Sequence, residues 1–169
     1  MSLALRDATD ADVPSILGIY AEEVLHGTAT FEYEPPDAAE MARRLQAVVG
    51  AGYPWLVATL DGAVVGYAYA SSYRPRVGYR FTVEDSVYVR RDLRGRGVGR
   101  RLLPALIEAC VAKGFVTMIA VVGDATNEGS IALHRGCGFE VAGRFPAVGF
   151  KFGRWLDSVH LVRRLRPPG

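Results

Sequence analysis

Apolar and polar residues change period several times along this chain, and each change predicts an element. Leu3-Ala4-Leu5-Arg6 reads as a short first strand. From Val13 the spacing lengthens, and Val13, Ile16, Leu17, Tyr20 and Val24 fall on one face of a helix. Thr9 with Asp12 three residues on has the spacing of a capping box ahead of it. His26 to Glu34 follows neither period and predicts a loop. Asp37 and Glu40 then open a second helix carrying Met41, Leu45, Val48 and Val49. Trp55 to Leu60 and Ala63 to Ser71 predict two strands, joined at Asp61-Gly62, a hairpin signature.

A loop rich in Arg, Pro and Gly covers Ser72 to Arg80, and Phe81 to Val89 predicts the next strand. Val98 to Lys113 predicts a helix ended by Gly114, and the β-branched run Val116 to Val122 a buried strand. A short helix is expected from about Glu128 to Cys137, stopped at Gly138. Phe139 to Phe145 and Trp155 to Leu165 predict closing strands. The order β-α-α-β-β-β-α-β-α-β-β implies an α/β fold with helices on the faces of a mixed sheet. Two strand–helix–strand passages between Phe81 and Phe145 suggest parallel pairing there. No repeat, low-complexity tract or linker interrupts the pattern, so residues 1–169 are expected to form a single domain, with 166–169 a frayed tail.

Composition narrows the class. Half of the residues are apolar, 22% are charged and the net charge is +2, as in an ordinary globular protein. That charge argues for neither nucleic acid nor membrane. No stretch approaches the roughly 18–20 apolar residues of a membrane span, and Met1 to Asp12 carries no signal-peptide core. Cys110 and Cys137 have no metal-ligand spacing and make no disulfide framework. They read as reduced thiols in a cytoplasmic protein, and no metal is implied.

Candidate chemistry concentrates in Arg94-Gly95-Arg96-Gly97-Val98-Gly99, between a strand and a helix. Three alternating glycines leave backbone amides uncovered at a helix N-terminus, where the helix dipole favours an anion. Arg90, Arg91, Arg94, Arg96, Arg100 and Arg101 add charge able to meet several phosphates. A dinucleotide-binding turn needs G-x-G-x-x-G and an acidic residue at the end of the next strand, and both are missing. A Walker A loop lacks its Gly-Lys-Ser/Thr. No aromatic residue interleaves the arginines as single-stranded nucleic-acid binding would require.

R-x-x-G-x-G, here Arg94, Gly97 and Gly99, resembles the pyrophosphate loop of the GNAT superfamily of N-acetyltransferases. Within it the chain is similar to phosphinothricin and methionine sulfone or sulfoximine acetyltransferases. Three stretches carry the likeness: Thr82 to Val89, Asn127 to Ser130 leading to Leu133-His134 and Gly138-Phe139, and Gly149 to Asp157. The resemblance spans Leu5 to Leu165. It implies the GNAT fold, a twisted mixed sheet of six to seven strands with helices on both faces, and acetyl-CoA as cosubstrate. It implies that main-chain groups of Val87, Tyr88 and Val89 meet the pantetheine arm. The amides of Arg94, Gly95, Arg96, Gly97, Val98 and Gly99 would hold the pyrophosphate, with Asn127 and Ser130 contributing to the cofactor site. It also implies a homodimer.

The chemistry required is attack by a neutral amine on a thioester, with a base for the amine and a proton for the leaving sulfur. Period 2 puts Thr82, Glu84, Ser86 and Tyr88 on one face of their strand and Val83, Asp85, Val87 and Val89 on the other. The resemblance makes Glu84 the general base, against a surface carboxylate answering Arg80. Asp85, set among valines, is the lesser rival. His134 is either an acid for the thiolate or a packed histidine, and Tyr88 is the alternative acid. Asn127 also suits a plain helix cap. Arg74 and Arg76 can clamp a carboxylate or remain solvated loop charge. Phe31 and Tyr33 supply an apolar wall, and Lys151 and Arg154 line the pocket or a dimer contact. The expected substrate is the α-amino group of a small amino acid or analogue, attacking directly without an acyl-enzyme; the alternatives are an acetyltransferase for proteins or peptides and a non-catalytic acetyl-CoA sensor.

Overall fold

The computed structural model describes residues 2–167. Its elements follow the expected order: β1 (Leu3–Asp7), α1 (Val13–His26), α2 (Ala38–Gly50), β2 (Trp55–Leu60), β3 (Ala63–Ser72), β4 (Thr82–Val89), α3 (Val98–Ala112), β5 (Thr117–Val122), α4 (Glu128–Gly136), β6 (Glu140–Lys151) and β7 (Arg154–Arg164). The predicted caps form. Thr9 N–H donates to Asp12 Oδ2 at 2.8 Å, and Glu40 N–H donates to Asp37 Oδ1 at 2.8 Å.

The strands make one seven-stranded sheet in the order β1-β2-β3-β4-β5-β7-β6. All neighbours are antiparallel except β4 and β5, which are parallel. The first strand–helix–strand passage therefore pairs as expected and the second does not, because β7 inserts between β5 and β6. Burial explains the order. Leu156, Val159 and Leu161 of β7 are buried, whereas β6 is mostly exposed and holds Pro146, which suits an edge. β6 also runs to Lys151, well past the expected end at Phe145. Two bulges and a tight turn at Phe152 and Gly153, both at positive φ, carry it through a glycine-rich stretch that reads as loop.

Two apolar clusters flank the sheet. Leu102, Leu103, Leu106 and Cys110 of α3 pack with Val83, Met118, Ala120 and Leu161. Ile16, Tyr20 and Val24 of α1 and Met41 and Leu45 of α2 pack with Trp55, Val57 and Tyr67 on the other face. Each fully buried leucine contributes roughly 1.5–3 kcal/mol. β4 faces both clusters, so its odd residues look toward α3 and its even residues toward α1. Arg166 Nη2 donates to the Gly114 carbonyl at 2.6 Å. Pro168 and Gly169 lie outside the described residues.

Candidate active site

Pairing between β4 and β5 runs from Thr82–Thr117 to Asp85–Ala120 and then stops. On its other edge β4 stays paired with β3 as far as Val89–Gly66. The two parallel strands therefore splay beyond Asp85, freeing one edge of Ser86 to Val89. The resulting groove has Ser86, Val87 and Tyr88 on one wall and Val121 to Gly123 on the other. Asn127, Ser130 and His134 of α4 and its cap also line it.

The glycine loop follows β4 directly. Gly95 and Gly97 take φ of 73° and 89°, a left-handed conformation that residues with a Cβ avoid. Gly97 caps α3 with no side-chain hydrogen bond, so the protein leaves the first-turn amides uncovered. A Cβ on Gly99 would come within 3.1 Å of Leu133, so its glycine lets α3 approach α4 closely. The cradle and the splayed edge together fit a diphosphate joined to an extended amide-bearing arm, the shape of coenzyme A. The six arginines divide. Arg90 pairs with Asp92, Arg91 lies 3.6 Å from Glu22, and Arg94 pairs with buried Glu23 at 2.5 Å while also donating to the Val89 carbonyl. Arg94 thus ties the loop to α1 through its side chain. Arg96, Arg100 and Arg101 are exposed around the cradle.

Glu84 points from β4 toward the α1 side, opposite Ser71 in register and partly buried. Arg80 does not answer it, since that guanidinium lies over the Phe81 ring at 4.4 Å. Burial and then the neighbouring Asp85 charge push the Glu84 carboxyl up, with Arg74 opposing. Tyr88 packs edge-on to Tyr20 and against Tyr67. Burial, followed by the surrounding tyrosines, raises its phenol well above the ordinary value.

His134 is 5% exposed, and both ring nitrogens are engaged. Nδ1 lies 2.7 Å from the Ser130 carbonyl and Nε2 lies 2.7 Å from Asp85 Oδ2. Burial pulls the imidazole down, but the bond to Asp85, its charge and the Ser130 carbonyl outweigh it, and the net shift is upward. Asn127 is a helix cap, with Oδ1 accepting from Ser130 N–H at 3.2 Å, and it lines the groove as well.

Phe31, in the loop between α1 and α2, packs against Gly149 and Gly123: an added Cβ would overlap its ring at Gly149 and come within 3.2 Å of it at Gly123. Tyr33 donates its hydroxyl to the Phe150 carbonyl. Arg74 is exposed over Tyr73, with the Glu84 charge acting on it, and Arg76 is exposed beside it. A cavity of about 270 Å³ between α2 and the sheet is lined by Trp55, Tyr67, Tyr69, Arg44 and Ser71, the last two strand residues lying opposite Ser86 and Glu84.

Three organising groups were not singled out from sequence. Glu23 also accepts from Ala29 N–H at 3.0 Å, linking the α1–α2 loop to the glycine loop through Arg94. Its position three residues after Tyr20, on the apolar stripe, is the available signal that a buried carboxylate needs a partner. Asp124 accepts from Thr28, Thr126 and Arg154, and these bonds outweigh burial to hold its carboxyl down at about 2. Glu32 accepts from Arg44 and Tyr20. Lys151, placed at a pocket or dimer contact from sequence, is 2% exposed and donates to the Thr30 carbonyl at 2.9 Å. Among the described residues no group of three or more His, Cys, Asp or Glu side chains converges as a metal site.

A glycine cradle at the start of α3, a splayed parallel pair and a carboxylate beside its closed end define an acyl-CoA-dependent transferase fold. The chain belongs to the GNAT acetyltransferase family, whose domain model matches residues 5–160. It is 52% identical over 161 residues to the phosphinothricin N-acetyltransferase of Alcaligenes faecalis, covering 95% of this chain and 82% of that one. It is 47% identical to the L-methionine sulfoximine/L-methionine sulfone acetyltransferase of Pseudomonas paraeruginosa, covering 99% and 97%. The crystal structure of a phosphinothricin acetyltransferase from Sinorhizobium meliloti in complex with AcCoA superposes with a TM-score of 0.94 at 52% identity, covering 97% of this chain and 89% of that one.

Proposed function

We propose that the protein moves the acetyl group of acetyl-CoA to the α-amino group of a small amino acid or analogue of the phosphinothricin, methionine sulfone or sulfoximine type. One observation carries the reading: the β4–β5 groove closes at Asp85–Ala120, beside Glu84 on the acceptor face. The names and crystallised ligand of the similar proteins support it.

Acetyl-CoA supplies an activated thioester carbonyl. The cradle amides grip the diphosphate, and Val87, Tyr88 and Val89 orient the arm along the free strand edge. Arg74 and Arg76 draw in the acceptor carboxylate, with Phe31 as an apolar wall. Glu84 takes the amine proton, directly or through water, and its raised carboxyl makes it a stronger base than an ordinary glutamate. His134, or failing it Tyr88, returns a proton to the sulfur. Direct attack fits the cysteines, because burial pushes the Cys110 thiol up to about 12 and also raises Cys137, so neither is an activated nucleophile.

Among the described residues no helix is long and apolar enough to cross a membrane, and two free cysteines suit a reducing cytoplasm. We place the protein there as a homodimer. Exposed Phe145, Val148, Phe150, Phe152 and Trp155 along the β6–β7 hairpin support the second assignment. The reaction is tested by following acetyl-CoA consumption over free amino acids, methionine sulfone, methionine sulfoximine, phosphinothricin, polyamines and a lysine peptide. Turnover of the amino-acid analogues is expected, and turnover of the peptide alone overturns the assignment.

A further inference from the structure

Asp85 has no part in the steps above, yet it is the most deeply buried carboxylate side chain beside the groove. Its side chain is 1% exposed, and Oδ1 has no partner among the described residues. Oδ2 meets His134 Nε2 at 2.7 Å, while His134 Nδ1 faces the Ser130 carbonyl one turn back along α4. A carbonyl oxygen only accepts, so Nδ1 carries a hydrogen. An ionised carboxylate also only accepts, so Nε2 carries a second. Asp85 occupies the last position at which β4 pairs with β5, and both side chains line the groove that opens there.

We propose that Asp85 is the positioning residue for His134: with the Ser130 carbonyl it clamps the ring at the closed end of the groove as an imidazolium, keeping a proton on Nε2 for the sulfur that leaves during acetyl transfer. This rests on the reading of acetyl transfer given above. The surroundings favour the charged ring. Cys110 from α3 and Cys137 just after α4 feel the Asp85 charge as neutral thiols, and Glu84 faces away across β4. Phe139 presents its ring edge-on at 5.0 Å, and Arg163 is engaged with the Cys137 carbonyl. As the C–N bond forms and the C–S bond breaks, the sulfur keeps the bonding pair and takes the Nε2 proton, while the amine proton goes to Glu84. That leaves a neutral ring with its lone pair against a buried carboxylate, which favours reloading from solvent.

Asp85→Asn is the informative variant, because its amide N–H can donate to Nε2 of a neutral ring and preserve the packing. Histidine ¹⁵N NMR on the protein without ligands reads the ring directly. At a pH near the ordinary imidazole value of roughly 6.5, most wild-type His134 rings are expected to carry protons on both nitrogens and the variant rings mainly on Nδ1 alone. In the variant kcat falls about tenfold or more, KM for acetyl-CoA stays unchanged, and the alkaline limb of the kcat profile moves to lower pH. A wild-type ring with one proton at that pH overturns the proposal, as does a variant that keeps both kcat and its alkaline limb. If the Asn variant does not fold, Asp85→Ser read by the same NMR signal decides. Failure of the wild type to acetylate any acceptor overturns the functional reading, and the NMR result still decides the fate of the pair.

Discussion

Glu84 and Asp85 are adjacent in sequence and opposite in environment, since consecutive strand residues face opposite sides of a sheet. Glu84 faces the α1 side with no side-chain hydrogen bond to a described residue, while Asp85 is committed to His134. Glu84→Gln is therefore expected to lower kcat about 100-fold, with acetyl-CoA affinity by calorimetry unchanged. A base must be deprotonated to act, and burial lifts this carboxyl above its ordinary 4.5. Activity should accordingly be lost as pH falls through that raised value, and the Gln variant should lack this acid limb. An unchanged rate removes Glu84 as the base. Period 2 made the Glu84 face legible from sequence. It also placed Asp85 among valines, but a histidine 49 residues away is invisible to any local pattern.

At the level of elements, the cradle offers backbone amides rather than side chains, and its proposed grip on the cofactor depends on them. Gly97→Ala would force a Cβ residue to φ near 89°, a strain of roughly 1–2 kcal/mol, or shift the first turn of α3. Thermal melting should show a lower Tm, and calorimetry a weaker acetyl-CoA Kd by about tenfold, equivalent to ~1.4 kcal/mol. Gly50→Ala, with nothing within 4 Å of its added Cβ and no positive φ, serves as the neutral control. Equal acetyl-CoA affinity in wild type and Gly97→Ala would remove the cradle from the binding site. Glycine spacing before a long amphipathic segment revealed this element. The β6–β7 hairpin was less legible, because Gly149, Phe152 and Gly153 read as loop while pairing with β7 makes most of the stretch strand.

Across the whole molecule, the exposed aromatic residues of that hairpin lie on the edge strand β6, at its turn and at the start of β7, where an uncovered edge and face invite association. Phe150 and Trp155 pack together at 5.0 Å, and Trp155 remains 66% exposed. Light scattering is expected to give a dimer for the wild type and a monomer for Trp155→Glu. A wild-type monomer at micromolar concentration would sink the dimer assignment.

Local chemistry in the chain was enough to set the element order, the caps, the two faces of β4 and the glycine cradle, because each depends on residues a few positions apart. Sheet order, the splay after Asp85 and the pairings of Asp85 with His134, Glu23 with Arg94 and Asp124 with Thr28 came from folding. Those contacts join residues 49, 71 and 96 positions apart. Their partners are chosen by burial and by the need to satisfy buried charge, which no short-range spacing encodes.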